Sequence, residues 1–205
     1  MKPAERQHVV DRYAERLGRL GPVVQALGWR DETQQELRFK VMADGLTHLE
    51  GASVLDIGCG FGDFFGYLRG RGHALRYVGC DLSPDVLEVA RGRHPGVTFE
   101  VRDVLAQPFP AGSFDYVCMS GIFNHRLSDN EGFLRQMLGT AFATCAAGAA
   151  ANMTTSYVDY EDPHLYYFSP EDVFRHCQTL TRRVALRHEY PLYEFTVFLY
   201  RDDPS

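Results

Sequence analysis

The sequence has no run of 18 or more apolar residues, so no segment is expected to cross a membrane as a helix. The alanine-rich stretch 141–151 is shorter and holds Thr144, Cys145 and Gly148. There is no CxxC pair. The five cysteines, at 59, 80, 118, 145 and 177, are odd in number and widely spaced. That pattern suits neither a disulfide framework nor a zinc site. It reads as small buried thiols in a reducing cytoplasm, with no metal expected. Basic residues do not dominate: 21 Lys and Arg face 27 Asp and Glu, for a net charge of -6. Nucleic-acid binding depends on cations meeting phosphates, so this balance speaks against it. Residues 1–12 are charged and lack an apolar stretch, and are not read as a signal peptide. Repeats, low-complexity tracts and linkers are absent, so one domain over 1–205 is expected.

What is present alternates. Val9, Val10, Tyr13, Leu17 and Leu20 mark a helix over 4–20, and Leu37, Val41, Leu46 and Leu49 a second over about 32–49. Residues 53–57 form a short apolar run ended by glycines, as a buried parallel strand does. A helix over 64–71, a strand over 75–80, and a helix opened by Ser83-Pro84 and reaching 93 come next. Strands at 97–101 and 116–120, a helix at about 130–143 and a strand near 147–153 continue the pattern. Two strand-like runs, 182–189 and 194–200, joined by a turn at 190–193, suggest a hairpin that adds one antiparallel strand. This order predicts a doubly wound, Rossmann-like α/β fold with a mostly parallel sheet and N-terminal helices, 1–50, covering a core of 51–205.

The first strand runs into Asp56-Ile57-Gly58-Cys59-Gly60-Phe61-Gly62-Asp63. In open sheets ligands bind outside the carboxyl ends of the strands. Glycines let the backbone turn tightly and approach a ligand. The spacing is GxGxG, not the GxGxxG of dinucleotide folds. Asp56, two positions before the first glycine, would repel a pyrophosphate but attract an ammonium group. Asp81 ends the second strand, where a carboxylate can accept from ribose hydroxyls or simply cap a helix. Asp103 follows the third strand and can accept an adenine amino proton, with the Val104 backbone at the ring edge and Leu82 on one face. Otherwise it is a solvated loop residue.

Together VLDIGCGFGDF, YVGCDLSPDVLEVAR, FEVRDV and FDYVCMSGIF resemble the class I S-adenosylmethionine-dependent methyltransferase family over nearly the whole chain. The resemblance implies a seven-stranded sheet with a reversed terminal strand. It also implies S-adenosylmethionine as cofactor, with S-adenosylhomocysteine as product. Asp56, Gly58, Cys59, Gly60 and Gly62 would hold the methionine part, Asp81 the ribose, and Asp103 the adenine, with Leu82, Val104 and Ser120 beside them. The segments Ala26-Leu27-Gly28-Trp29 and Gln35-Glu36-Leu37-Arg38-Phe39 are similar to those of small bacterial members. Arg38 is then a planar fork for the cofactor carboxylate, assisted by Gln35, or a solvent-facing helix residue. Trp29 is read as core before a surface for substrate stacking.

Methyl transfer from a sulfonium is an in-line displacement in which positioning can do much of the work. The stretch Ser120-Gly121-Ile122-Phe123-Asn124-His125 lacks the Asn/Asp-Pro-Pro-aromatic tetrad of nucleic-acid amine methyltransferases. His125 is a candidate catalytic base, Tyr13 a second catalytic candidate reaching in from the first helix, and Asn124 a substrate-orienting residue. Tyr157 and Tyr166, from the aromatic and acidic stretch 152–168, are candidate substrate contacts. The expectation is a cytoplasmic small-molecule methyltransferase, monomer or homodimer. A nicotinamide-dependent oxidoreductase and a non-catalytic cofactor-binding module are the rivals.

Overall fold

The computed structural model describes residues 1–201. Its helices are α1 (Pro3–Leu20), α2 (Glu32–Asp44), α3 (Asp63–Gly70), α4 (Pro84–Arg93), α5 (Asn130–Thr144) and α6 (Pro170–Leu180), with a 3-10 turn at Val24–Leu27. The strands are β1 (Ser53–Ile57), β2 (Arg76–Asp81), β3 (Thr98–Val101), β4 (Phe114–Met119), β5 (Cys145–Thr154), β6 (Val184–Arg187) and β7 (Glu194–Tyr200). They form one sheet in the order β3-β2-β1-β4-β5-β7-β6. β7 runs antiparallel to both β5 and β6, and the other pairings are parallel. The sheet is thus the expected Rossmann-like one with a single reversed strand.

β1 sits at the centre and every residue of it is buried. Alternation along the strands divides the core between the two faces. Leu55, Ile57, Val117, Met119 and Val197 pack with α5 and α6. Val54, Tyr116, Cys118 and Phe198 pack with α2, α3 and α4. All five cysteines are buried and free.

Apart from shifts of a residue or two at element ends, three features differ from the sequence reading. α2 stops at Asp44, and its C-cap Gly45 lies against Phe198, where a Cβ would stand 2.1 Å from the ring. Leu46 and Leu49 still reach the core, but from a loop. α6 was not anticipated, yet its signal is the one used for α4. Ser169 accepts from Asp172 N at 3.1 Å with Pro170 at the first position, as Ser83 accepts from Val86 N ahead of Pro84. The first strand of the terminal hairpin, β6, is shorter than expected, at Val184–Arg187.

α1 has no fully buried residue, but its Tyr13 and Leu17 pack partly buried against Ala26, Phe61 and Val86. It is held across the carboxyl ends of the strands by polar contacts: Arg6 to Asp103, Glu5 to Ser128 N, and Arg16 to the carbonyls of Gln25 and Ala26. Among the described residues no helix is long and apolar enough to cross a membrane.

Candidate functional site

Parallel strands carry their carboxyl ends to one edge, and there a cavity of about 1170 Å³ opens between the β1, β2 and β4 exits, α1 and α2. Gly58 and Gly60 hold the β1 exit in left-handed backbone, with φ +75 and +56. A Cβ at Gly58 would lie 2.2 Å from Ile122, and at Gly60 2.8 Å from Leu27. Only glycine satisfies both demands. The N–H groups of Gly58 and Cys59 donate to Cys80 O at 2.7 and 3.1 Å, tying the loop to β2. Gly62 does not line the cavity. Its φ of +77 starts α3, and a Cβ there would meet His94 and Phe99, so its role is in packing.

The floor is acidic. Asp56 is buried and accepts from the Tyr77 hydroxyl. Burial, reinforced by the Asp81 and Asp63 carboxylates and opposed by Tyr77, pushes its carboxyl up to about 7. Asp81 accepts from Gly60 N at 3.2 Å and Ser83 N at 3.0 Å. Burial also raises its pKa, and those backbone donors moderate the rise. Neither carboxylate has a cationic side chain paired with it among the described residues. Asp103 is differently engaged: one oxygen accepts from Leu105 N at 3.0 Å and the other pairs with Arg6 at 2.7 Å. Leu82 and Val104 line the same wall.

Arg38 and Gln35 do reach the cavity, but with partners already in place. The Arg38 fork is taken by Glu194 at the start of β7, through Nε at 2.7 Å and Nη2 at 2.6 Å. Its Nη1 is buried without a hydrogen-bond partner among the described residues. The guanidinium lies 4.5 Å from the ring centre of Trp29, which lines the cavity half-buried instead of joining the core. Gln35 donates to Asp63 at 3.1 Å. Glu194 has a sequence signal of its own: it is the one acid at the head of the mostly apolar run EFTVFLY.

The β4 exit is pinned by Asn152, a polar residue in a buried alanine-rich strand. It accepts from Gly121 N at 2.9 Å and donates to Ser120 Oγ at 3.0 Å. Asn124 accepts from Thr154 Oγ1 at 3.1 Å. His125 meets α1: Tyr13 Oη is 3.0 Å from its Nε2 and Arg12 Nη1 is 3.4 Å from its Nδ1. Burial first, then Arg12, Arg16 and His8, push the imidazole down to about 4. Burial also raises Tyr13, to about 12. Both ring nitrogens of His125 are therefore engaged, and the neutral ring is a weak base.

The tyrosines chosen from the 152–168 stretch lie elsewhere. Tyr157 is exposed and donates to Glu171. Tyr166 packs edge-on against Phe168, with its hydroxyl 3.3 Å from Glu131. Neither lines the cavity, whereas Tyr160, Tyr167 and Asp159 of the same loop do. Among the described residues no three His, Cys, Asp or Glu side chains group as metal ligands.

Comparison with known proteins agrees with this geometry. The family described as Methyltransferase domain matches residues 54–141. A Mycobacterium tuberculosis protein classed as a methyltransferase is 35% identical over 154 residues, 72% of this chain and 92% of its own length. The malonyl-[acyl-carrier protein] O-methyltransferase of Serratia marcescens is 28% identical over 164 residues, 76% of this chain but 61% of that enzyme. The crystal structure of a SAM-dependent methyltransferase from Archaeoglobus fulgidus shares the fold with a TM-score of 0.66 at 15% identity, covering 85% of this chain and 96% of that one.

Proposed function

The chain belongs to the class I S-adenosylmethionine-dependent methyltransferase family, and from that premise we propose that it methylates a small-molecule acceptor inside the cavity beneath α1 and α2. The proposal treats 1–205 as one catalytic unit.

The observation that carries this reading is the distribution of charge. Among the described residues, Asp56 is a buried and Asp81 a half-buried carboxylate without a cationic partner, and Arg38 Nη1 is a buried donor without an acceptor, all on one cavity. Leaving such groups uncompensated is costly. A zwitterionic amino-acid moiety compensates them, its ammonium toward the acids and its carboxylate toward Arg38. A pyrophosphate would meet the acids with like charge, which disfavours a nicotinamide dinucleotide.

When bound, S-adenosylmethionine supplies an electrophilic methyl group on a good leaving group. The chain's contribution is placement. Asp81 keeps lone pairs free for ribose hydroxyls beside its two backbone donors. Leu82 and Val104 offer apolar walls to the base. Tyr13, His125 and Asn124 bound the acceptor side. Cavities for one ligand span roughly 300–1000 Å³, so about 1170 Å³ has room for cofactor and acceptor together.

Thermal melting tests the cofactor. S-adenosylmethionine and S-adenosylhomocysteine are expected to raise the midpoint and NAD to leave it unchanged; no shift with either sulfur compound removes the reading. Transfer of isotope from methyl-labelled cofactor into a metabolite extract then tests catalysis. Binding without transfer would favour the non-catalytic module.

A further inference from the structure

Six arginines line the cavity: Arg6, Arg12, Arg16, Arg30, Arg38 and Arg102. Five are committed. Arg6, Arg30, Arg38 and Arg102 face Asp103, Asp31, Glu194 and Glu100. Arg16 spends its donors on the carbonyls of Ala26 and Gln25. Arg12 differs. Among the described residues its partner is the neutral Nδ1 of His125, at 3.4 Å, and no carboxylate pairs with it. A half-buried guanidinium beside an imidazole, in a chain of net charge -6, is an uncompensated positive corner.

The hydrogen-bond polarity of that corner follows from Arg12. A guanidinium only donates, so Nδ1 must accept and the neutral ring must carry its hydrogen on Nε2. Nε2–H then donates to Tyr13 Oη, 3.0 Å away. The tyrosine oxygen is thereby used as an acceptor, and its own O–H remains to donate. Arg12 and Tyr13 together present donors and a full positive charge on the α1 side of the cavity, where Asp81 is the acid that acts on the Tyr13 hydroxyl.

We propose that the acceptor is a carboxylate-bearing small molecule, its carboxylate gripped by Arg12 and the Tyr13 hydroxyl. This rests on the methyltransferase reading and adds the substrate class. One uncommitted guanidinium balances one negative charge. A planar carboxylate also matches its paired N–H groups, whereas a phosphate dianion would lack a second free cation. The grip concerns recognition and does not identify the methylated atom.

The test uses the full chain, first saturated with S-adenosylhomocysteine in a calorimeter. Failure at that step overturns the methyltransferase reading itself. Benzoate and hexanoate are then titrated against benzamide, hexanamide and inorganic phosphate. The acids are expected to bind and the amides to bind about tenfold more weakly or worse. Arg12→Gln is expected to abolish that preference while S-adenosylhomocysteine binding stays intact. Arg12→Lys, which keeps the charge but not the fork, should restore part of it. Amides binding as well as acids, no binding by either acid, phosphate binding as tightly as the carboxylates, or an undiminished preference in Arg12→Gln would each overturn the proposal.

Discussion

Tyr13 Oη and His125 Nε2 stand 3.0 Å apart, joining the first helix to the loop after β4 across 112 residues of chain. The contact closes α1 over the strand ends and, with Arg12 on the other ring nitrogen, sets which hydrogen the imidazole carries. Its consequences, and those of the buried charges beneath it, are measurable.

The first concerns His125. Its pKa is lowered from 6.5 to about 4 by burial and by Arg12, Arg16 and His8. A folded state that resists protonation loses stability where the unfolded chain takes up the proton, as pH falls from 6.5 toward 4. Nitrogen NMR of the imidazole is expected to report the Nε2–H tautomer at neutral pH and protonation only near 4. A normal titration near 6.5 would mean the ring is not enclosed as described.

Asp56 works in the opposite direction. Its pKa is raised from 3.8 to about 7, so the cofactor-free fold loses stability as pH rises through that window. Asp56→Asn keeps an acceptor for the Tyr77 hydroxyl and removes the charge. The variant is expected to melt above the parent at pH 8, by about 2–4 °C for each kcal/mol recovered, and level with it near pH 4. It should also bind S-adenosylhomocysteine about tenfold more weakly or worse, through loss of a charged partner. Equal melting at both pH values would count against a buried ionised Asp56.

Asp81→Ala removes an acceptor for Gly60 N and Ser83 N as well as the proposed ribose contact. Cofactor affinity by calorimetry is expected to fall by about 1–3 kcal/mol. Unchanged affinity would take Asp81 out of the site.

Arg38 and Glu194 allow folding and binding to be separated. Arg38→Met strands a buried carboxylate and is expected to cost about 3–5 kcal/mol of stability in denaturant unfolding. Adding Glu194→Leu removes the stranded charge and should recover most of that loss. Cofactor affinity should remain low in the double variant, because Nη1 is gone. Full recovery of affinity would reduce Arg38 to a structural role.

The α/β alternation, the reversed last strand and the glycine loop were legible from local pattern alone. Short apolar runs ended by glycine have few alternatives to buried parallel strands. Parallel strands bring Asp56 and Asp81 to one edge whatever the rest of the chain does. α6 has an equally local signal in Ser169-Pro170. The 152–168 stretch was not legible: a loop has no period, so nothing in its sequence separates Tyr160 and Tyr167, on the cavity wall, from Tyr157 and Tyr166, which face away.

By itself, then, the sequence determined the sheet, the family and the acidic floor, because each depends on residues near one another in the chain or on strand direction. The tertiary structure alone decided the partners of the cations. Arg38 meets Glu194 across 156 residues and Arg12 meets His125 across 113. Such pairs leave no spacing to read, since they are set by how helices land on a sheet edge. That landing is what leaves Arg12 without an acid among the described residues and sets the Tyr13 hydroxyl beside His125.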